Sequence, residues 1–251
     1  MRTVLQIGNQ TIADEQIICL LTRYQMLPHL LREIIIDQVI APIDLTPEEK
    51  AIAHHLLEQQ QLNTETSYLA WCKRFNINIE QLETLATRQL RIEKFKQVTW
   101  GDKLDSYFLK RKGQLDKVIY SLIRTKDTDA AREIYFRIQE SEKSFADLAR
   151  SHSQGREAQT GGLNGPVELG TLPLPLMQML SVSQPSQLWP PTSIERWVVI
   201  VRLEKFIPVQ LDESIRQGLL NELFTTWLSE QMSQIDFAMK TQVNTTQLTT
   251  I

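Results

Sequence analysis

Histidine and cysteine side chains carry much of the acid–base, nucleophilic and metal chemistry of proteins, and this chain has four histidines and two cysteines. His54 and His55 are adjacent, so on a helix their side chains point about 100° apart and do not form the i, i+4 pair of a metal site. His29 and His152 stand alone in the sequence. These spacings predict no bound metal. We also expect no cofactor, and we expect His152 to be structural or exposed.

The two cysteines, Cys19 and Cys72, both lie inside apolar patterns with helical spacing. Neither has a second cysteine at the CxxC spacing of a redox or metal site. We expect buried free thiols, because an unpaired cysteine usually behaves as a small apolar side chain. A disulfide between Cys19 and Cys72 is left open by the sequence.

The charge and hydrophobicity of the sequence argue against nucleic-acid binding and membrane insertion. The chain has 251 residues, and 27 Lys and Arg against 30 Asp and Glu give a net charge of -3. A strongly basic face for nucleic acid is therefore not expected, nor is attraction to anionic membranes. The N-terminal segment has no apolar core typical of a signal peptide, and no apolar run approaches the ~20 residues of a membrane span. The sequence predicts a cytoplasmic location.

The N-terminal region shows clear start signals for helices that would support a site. A short strand at Val4–Ile7 and a Gly-Asn turn lead into the first helical pattern. Thr46 with Glu49, and Asn78 with Gln81, each have the capping-box spacing that begins a helix. These signals predict a mainly helical body.

From residue 115 onwards, short β-rich runs alternate with amphipathic helices. The runs at Val118–Ile123 and Trp197–Val201 have the β-branched character of buried strands. A last helix begins at Asp212 and carries a heavy apolar stripe, which must be buried, and the N-terminal helices are its obvious partner. We predict an α+β protein: a helical body completed by the C-terminal helix, with an inserted domain built on a small mixed sheet covered by helices.

Residues 115–206 resemble the parvulin domain in the order of their motifs. The similarity rests on the strand at Val118–Ile123, the segment Phe145–Ser153, the Gly-Gly turn at 161–165 and the closing strand Trp197–Val201. The flanks are similar to those of SurA and PrsA foldases. The implied domains are 1–113 for the first part of a chaperone domain, 114–207 for the parvulin-like domain, 208–240 for a C-terminal helix that packs back on the N-terminal domain, and 241–251 for a tail.

Parvulins are peptidyl-prolyl cis/trans isomerases, so the resemblance implies rotation about X-Pro bonds. Amide resonance opposes that rotation with a barrier of ~18–20 kcal/mol. The cis and trans forms of an X-Pro bond are nearly matched in free energy, so a catalyst only has to lower the barrier. An apolar pocket can hold the proline ring while oriented dipoles stabilise the twisted amide, without a covalent intermediate.

The residues that the resemblance places in the active site differ from those usual in the family. The family's pair of histidines falls on Ser121 and Trp197, which are the implied catalytic positions. The implied substrate-binding positions are Leu172, Pro173 and Leu176 in the apolar pocket, and Gly155 where a loop Cys or Asp is usual. Because the histidine pair is absent, the sequence leaves isomerase activity open.

The resemblance leaves alternative functions. One is an isomerase-like foldase that acts on X-Pro bonds of unfolded or exported polypeptides, with weak or lost catalysis. Another is a non-catalytic peptide-binding chaperone or adaptor, and a third is a scaffold whose inserted domain mediates assembly. The expected partners are proline-containing unfolded or extended polypeptides and a component of a secretion system, without nucleic acid and without membrane insertion.

Overall fold

The computed structural model describes residues 3–51, 69–73 and 77–234. His54, His55 and the predicted tail at 241–251 lie outside these residues. Within the described part of the chain, no helix combines the length and the apolar character needed to span a membrane.

Two compact units make up the chain, one formed by Met1–Asp102 with Leu220–Ile251 and the other by Lys103–Leu219. The predicted domain limit at residue 113 would place most of the helix Leu104–Leu115 in the first unit, whereas the structure places it in the second. The described elements of the first unit, besides helical residues at 47–51 and 69–73, are β1 (Thr3–Ile7), β2 (Gln10–Ala13), α1 (Asp14–Arg23), α2 (Leu27–Ile40) and α3 (Ile79–Trp100).

The helix starts predicted from capping boxes are confirmed. The Gln81 N–H donates to Asn78 Oδ1 (2.7 Å), and the Asn78 N–H donates to Gln81 Oε1 (2.9 Å). The Glu49 N–H donates to Thr46 Oγ1 (3.3 Å), and the Thr46 N–H donates to Glu49 Oε2 (2.7 Å). These reciprocal bonds satisfy amide groups that a helix N-terminus would otherwise leave without partners.

The first unit has a core to which the final helix contributes. That helix, Glu213–Gln234, belongs to this unit from Leu220 onwards. Its Phe224 and Leu228 are buried in one cluster with residues of α2 and α3. Aromatic rings extend the cluster: Phe224 stacks on Trp227 with ring centres 5.9 Å apart, and Phe95 meets the Phe224 ring edge-on at 6.2 Å. The apolar stripe of the C-terminal helix is therefore buried against N-terminal helices.

The second unit is built on a four-stranded sheet with strand order β4-β3-β6-β5. Its elements in chain order are α4 (Leu104–Leu115), β3 (Lys117–Thr125), α5 (Thr128–Gln139), α6 (Phe145–His152), β4 (Leu163–Glu168), α7 (Leu174–Ser181), β5 (Thr192–Ile194) and β6 (Trp197–Ile207), followed by the first residues of the final helix, α8. The α+β class is confirmed. The sheet was expected to be mixed, but every strand pair in it is antiparallel. A two-residue turn joins β5 to β6, and so short a connection can only produce antiparallel neighbours.

Helices cover both faces of this sheet. On one face, Ile123 and Ile200 pack with Phe145 and Leu148 of α6 and with Ile134 of α5. On the other face, a second core joins the sheet to α7 and is formed by residues that include Leu122, Val199, Val201, Leu176 and Leu180. Because successive side chains of a strand point to opposite faces, the two central strands, β3 and β6, contribute to both cores.

The cysteines differ in burial. Cys72 is buried, as expected, whereas Cys19 is exposed, and both are free thiols. The prediction of burial was wrong for Cys19 because α1 leaves much of its apolar side uncovered by the described residues. Ile18, its neighbour, is 40% exposed.

Candidate functional site

One face of the sheet of the second unit carries most of the predicted substrate-binding residues. Leu176 of α7 is buried in the core of that face, and Leu172 and Trp197 are partly buried and pack against it. Leu172 and Trp197 are therefore accessible at the edge of an apolar floor, and Leu176 lies within it. Pro173 is exposed at the residue that caps the start of α7.

Ser121 does not share this face. It pairs with Arg202 of β6, and its hydroxyl donates to Glu204 Oε1 at 2.6 Å. The guanidinium of Arg202 in turn lies over the ring of Phe145, which belongs to the core beneath α6. The structure thus places Ser121 on the α6 side of the sheet and Trp197 on the α7 side. It does not bring the two implied catalytic positions together.

A charged pair lies where β3 ends on the α7 side. Arg124 Nε donates to Glu157 Oε1 (2.8 Å) and Arg124 Nη2 donates to Glu157 Oε2 (2.5 Å). Glu157 follows α6 in the short helical turn Arg156–Thr160. The Ser153 hydroxyl also donates to Glu157 Oε1 (2.6 Å) and accepts from the Arg124 N–H (3.1 Å). This bidentate, doubly supported pair fixes the direction of the guanidinium.

The electrostatics of the pair favour its ionised state. Burial alone would raise the pKa of Glu157, but hydrogen bonds from Arg124 and Ser153, and the charge of Arg124, outweigh it and lower that pKa below its ordinary value. The hydrogen bond to Glu157 likewise raises the pKa of Arg124. The Glu157 side chain is 1% exposed and that of Arg124 is 33% exposed. The cation is therefore the partner that reaches the surface.

Tyr120 adds a phenol to the apolar floor, on the face of β3 that also carries Arg124. It is buried in the α7-side core, two residues before Leu122 on the same face. Burial raises the pKa of its phenol, so the group is a neutral hydroxyl at ordinary pH.

Gly155 contributes space to the site. A Cβ added there would lie 2.2 Å from both Arg124 Nε and Glu157 Oε2. Any side chain at this position would therefore collide with the Arg124–Glu157 pair. Gly155 was predicted to bind substrate, and in the structure its lack of a side chain is what admits the ion pair.

His152 ends α6 and is exposed, as expected. Across residues 3–51, 69–73 and 77–234, no group of three or more His, Cys, Asp or Glu side chains is arranged to hold a metal ion. The described site thus offers an apolar surface and a fixed, partly exposed guanidinium. Such groups can orient a peptide and donate hydrogen bonds to it.

The sequence did not identify Tyr120, Arg124, Ser153 and Glu157 as site residues. Arg124 and Glu157 are 33 residues apart in the chain, so no local pattern links them. The only usable signal was the alternation of β3, which places Tyr120 and Arg124 on the same face as Leu122.

Comparison with known proteins identifies the domain. Residues 120–205 match the family model described as Rotamase, PPIC-type PPIASE domain. The predicted resemblance to parvulins is confirmed, and the chain contains a PPIC-type, or parvulin, peptidyl-prolyl isomerase domain. A search of curated proteins found no match to the chain.

Solved structures extend the likeness in fold beyond that domain. A peptidyl-prolyl isomerase PrsA from Bacillus cereus is similar with a TM-score of 0.52 and 18% identity, over 95% of each chain. PrsA from Bacillus anthracis matches with a TM-score of 0.46 and 17% identity, over 84% of this chain and 100% of that one. The parvulin domain of PpiD from E. coli is 26% identical over 40% of this chain and 97% of its own length, with a TM-score of 0.34. The Bacillus cereus structure supports a PrsA-like fold.

Proposed function

We propose that the chain binds X-Pro segments of unfolded or extended polypeptides on the α7-side face of its sheet, and that it accelerates their cis–trans interconversion weakly. The observation that carries this proposal is the arrangement of Arg124, which Glu157 and Ser153 hold fixed beside Trp197. A PPIC-type domain implies polypeptide substrates in general. The proposal adds the surface and the groups that would act on them.

The apolar part of the site suits a proline ring. Trp197 and Leu172 are partly buried at the edge of the floor, so they offer apolar contact area without closing the site. A proline ring placed against them would be held while the residue before it rotates. Fixing one side of the bond in this way keeps the substrate close to the geometry of the transition state.

Arg124 supplies the polar part. Its Nε and Nη2 are occupied by Glu157, while its Nη1 has no hydrogen-bond partner among the residues that the structure describes. As the X-Pro amide twists, resonance is lost and the amide nitrogen becomes a better hydrogen-bond acceptor. A donor that is already oriented would stabilise this state more than the planar amide, which is the requirement for catalysis.

A specific observation favours a second function, peptide binding without turnover. His152 is the single histidine of the second unit, and it lies exposed at the end of α6, outside the site. In the first unit, α2 and the turn between α1 and α2 leave large apolar side chains exposed, among them Tyr24, Met26 and Ile34. A chaperone could hold extended polypeptides on these exposed apolar side chains. It would not need a fast catalytic step, and so it would not need a histidine in the site.

Exchange spectroscopy on short Ala-Pro peptides separates these functions. We expect the wild-type protein to accelerate cis–trans exchange. The acceleration by the double variant Leu172→Ala, Trp197→Ala should be at least about tenfold smaller, because the variant lacks the apolar contacts of the proline ring. Phe136→Ala is a matched control. Phe136 is also a large exposed apolar residue, 55% exposed, but it belongs to α5 on the other side of the sheet.

The outcomes discriminate clearly. Acceleration that the double variant loses and Phe136→Ala keeps supports an isomerase without the histidine pair. Binding without acceleration in the wild type would assign the second function. A double variant as active as the wild type would contradict the proposed surface.

Location and further partners stay predictions from the sequence. The expected cytoplasmic location and the expected component of a secretion system belong to this proposal, and localisation of the tagged protein together with crosslinking of its complexes would test both.

A further inference from the structure

Three cationic side chains surround the ring of Trp197. Arg124 Cζ lies 5.8 Å from the ring centre, Lys126 Nζ lies 5.5 Å from it, and Arg196 Cζ lies 5.4 Å from it. Each distance is within the range at which a cation is attracted to the face of an indole ring. Trp197, to which the proposed function assigns the proline ring, is therefore also the centre of a positive patch.

The three cations of this patch differ in whether an acidic side chain pairs with them. Arg124 is matched by Glu157, in the bidentate pair described above. For Lys126 and Arg196, in contrast, no acidic group lies within 4.0 Å in the described part of the chain, and both side chains are exposed. Lys126 follows β3 directly, and Arg196 occupies the turn before β6. Two cations that form no ion pair among the described residues thus lie around one ring.

The acidic residues next to Lys126 and Arg196 in sequence do not pair with them. Asp127 follows Lys126, but its side chain accepts hydrogen bonds from the Asp129 and Ala130 N–H groups at the start of α5. Glu195 precedes Arg196 and is exposed in the same turn. Neither forms an ion pair with Lys126 or Arg196 among the described residues.

We infer that Lys126 and Arg196 select X-Pro segments that carry a carboxylate next to the proline. This inference rests on the proposed function, because it requires the proline ring at Trp197. A proline ring seated there would place its neighbouring residues within reach of two exposed cations. A carboxylate on those residues would pair with cations that form no ion pair among the described residues, whereas a lysine would be repelled.

A carboxylate next to proline can come from an Asp or Glu side chain or from a chain that ends in proline. The peptide panel therefore contains amidated Glu-Pro-Ala, Ala-Pro-Glu, Ala-Pro-Ala and Lys-Pro-Ala sequences, and one peptide with a free carboxylate on its terminal proline. Affinity is measured by NMR titration of the full chain at low and at high salt. We expect at least one Glu peptide to bind about three- to tenfold more tightly than the neutral peptide at low salt.

The preference should shrink as salt increases, because exposed charges are screened over about 8 Å at physiological ionic strength. The double variant Lys126→Gln, Arg196→Gln should lose the preference while binding the neutral peptide within about twofold of the wild type. Arg196→Lys keeps the charge and should keep the preference. Lys143→Gln removes an exposed positive charge from the loop before α6 and controls for net charge.

The panel separates failure of this inference from failure of the proposed function. Equal affinity for Glu and neutral peptides, or a preference that the double variant keeps, would overturn the inference alone. No binding of any peptide would overturn both. Tighter binding of only the terminal carboxylate would assign the patch to chain ends and would overturn selection of acidic side chains.

Discussion

Replacing Glu157 with glutamine is expected to lower the free energy of unfolding at neutral pH by about 2–3 kcal/mol. The carboxylate is buried and accepts hydrogen bonds from Arg124 and Ser153, and a neutral amide in its place loses their charge-assisted character. Arg124 is partly exposed, so water can solvate it in the variant. The cost should therefore stay below that of a fully buried pair.

The same substitution should change the response of stability to acid. The pKa of Glu157 is lowered in the folded protein, so its contribution is present above the ordinary carboxyl pKa of 4.5 and is lost as pH falls through the lower folded value. Wild-type protein should therefore lose more stability on acidification than Glu157→Gln. The difference between the two should narrow from about pH 7 to about pH 3.

Urea unfolding of both proteins across this pH range measures the effect. Glu142→Gln is a matched control, because Glu142 faces Arg137 at 3.6 Å with more than half of its side chain exposed. An exposed pair of this kind should contribute at most about 1 kcal/mol. If Glu157→Gln were no more destabilising than Glu142→Gln at neutral pH, the pair could not be what fixes Arg124.

Replacing Phe224 with alanine is expected to destabilise the first unit by about 3–5 kcal/mol. Phe224 is 6% exposed and stacks on Trp227, and its ring also meets those of Phe95 and Trp100. Lys96 lies over the same ring, with its Nζ 5.2 Å from the ring centre. Alanine would leave a cavity at the centre of this cluster, and rings held by stacking cannot fully close it.

Hydrogen exchange of backbone amides reports the effect where it should occur. Amides near Ile92 in α3 and Leu228 in α8, whose side chains are buried in the same cluster, should exchange much faster in Phe224→Ala. Thr225→Ala is the control, since Thr225 is the exposed neighbour on the same helix. Unchanged protection in Phe224→Ala would mean that the final helix does not stabilise the N-terminal helices.

Local chemistry made much of the fold predictable. The side chains of Asn78 and Gln81 form the capping box that starts their helix, so this prediction needed no knowledge of the rest of the chain. The continuous apolar run before Arg202 likewise indicates a buried strand whatever its neighbours are. The Gly-Gly pair also predicts its turn locally, because Gly161 and Gly162 both have the positive φ that glycine adopts readily.

The geometry of the site was harder to predict because it depends on register. The ladder between β3 and β6 pairs Ser121 with Arg202, and a register displaced by one residue would exchange the faces of one strand relative to the other. The sequence therefore could not show that Ser121 and Trp197 lie on opposite sides of the sheet. Nor could it pair Arg124 with Glu157, since that contact is set by how the loop after α6 returns to β3.

The ion pair and the glycine form one arrangement. A side chain at Gly155 would overlap the Arg124–Glu157 pair, so the pair would have to move to admit one. The site presents a guanidinium that a buried carboxylate orients. We expect one oriented donor beside an apolar floor to support weak turnover rather than fast turnover.

The central claim is that X-Pro peptides bind on the face that carries Trp197 and Arg124, and NMR titration of the isotope-labelled full chain with an amidated Ala-Pro peptide tests it most directly. We predict saturable shift changes for the Trp197 indole N–H, the Arg124 side-chain N–H and the amide of Leu172, with little change at Ser121 or Phe136. Shift changes confined to Ser121, Arg202 and Phe136, or to the first unit, would contradict the assignment of the site.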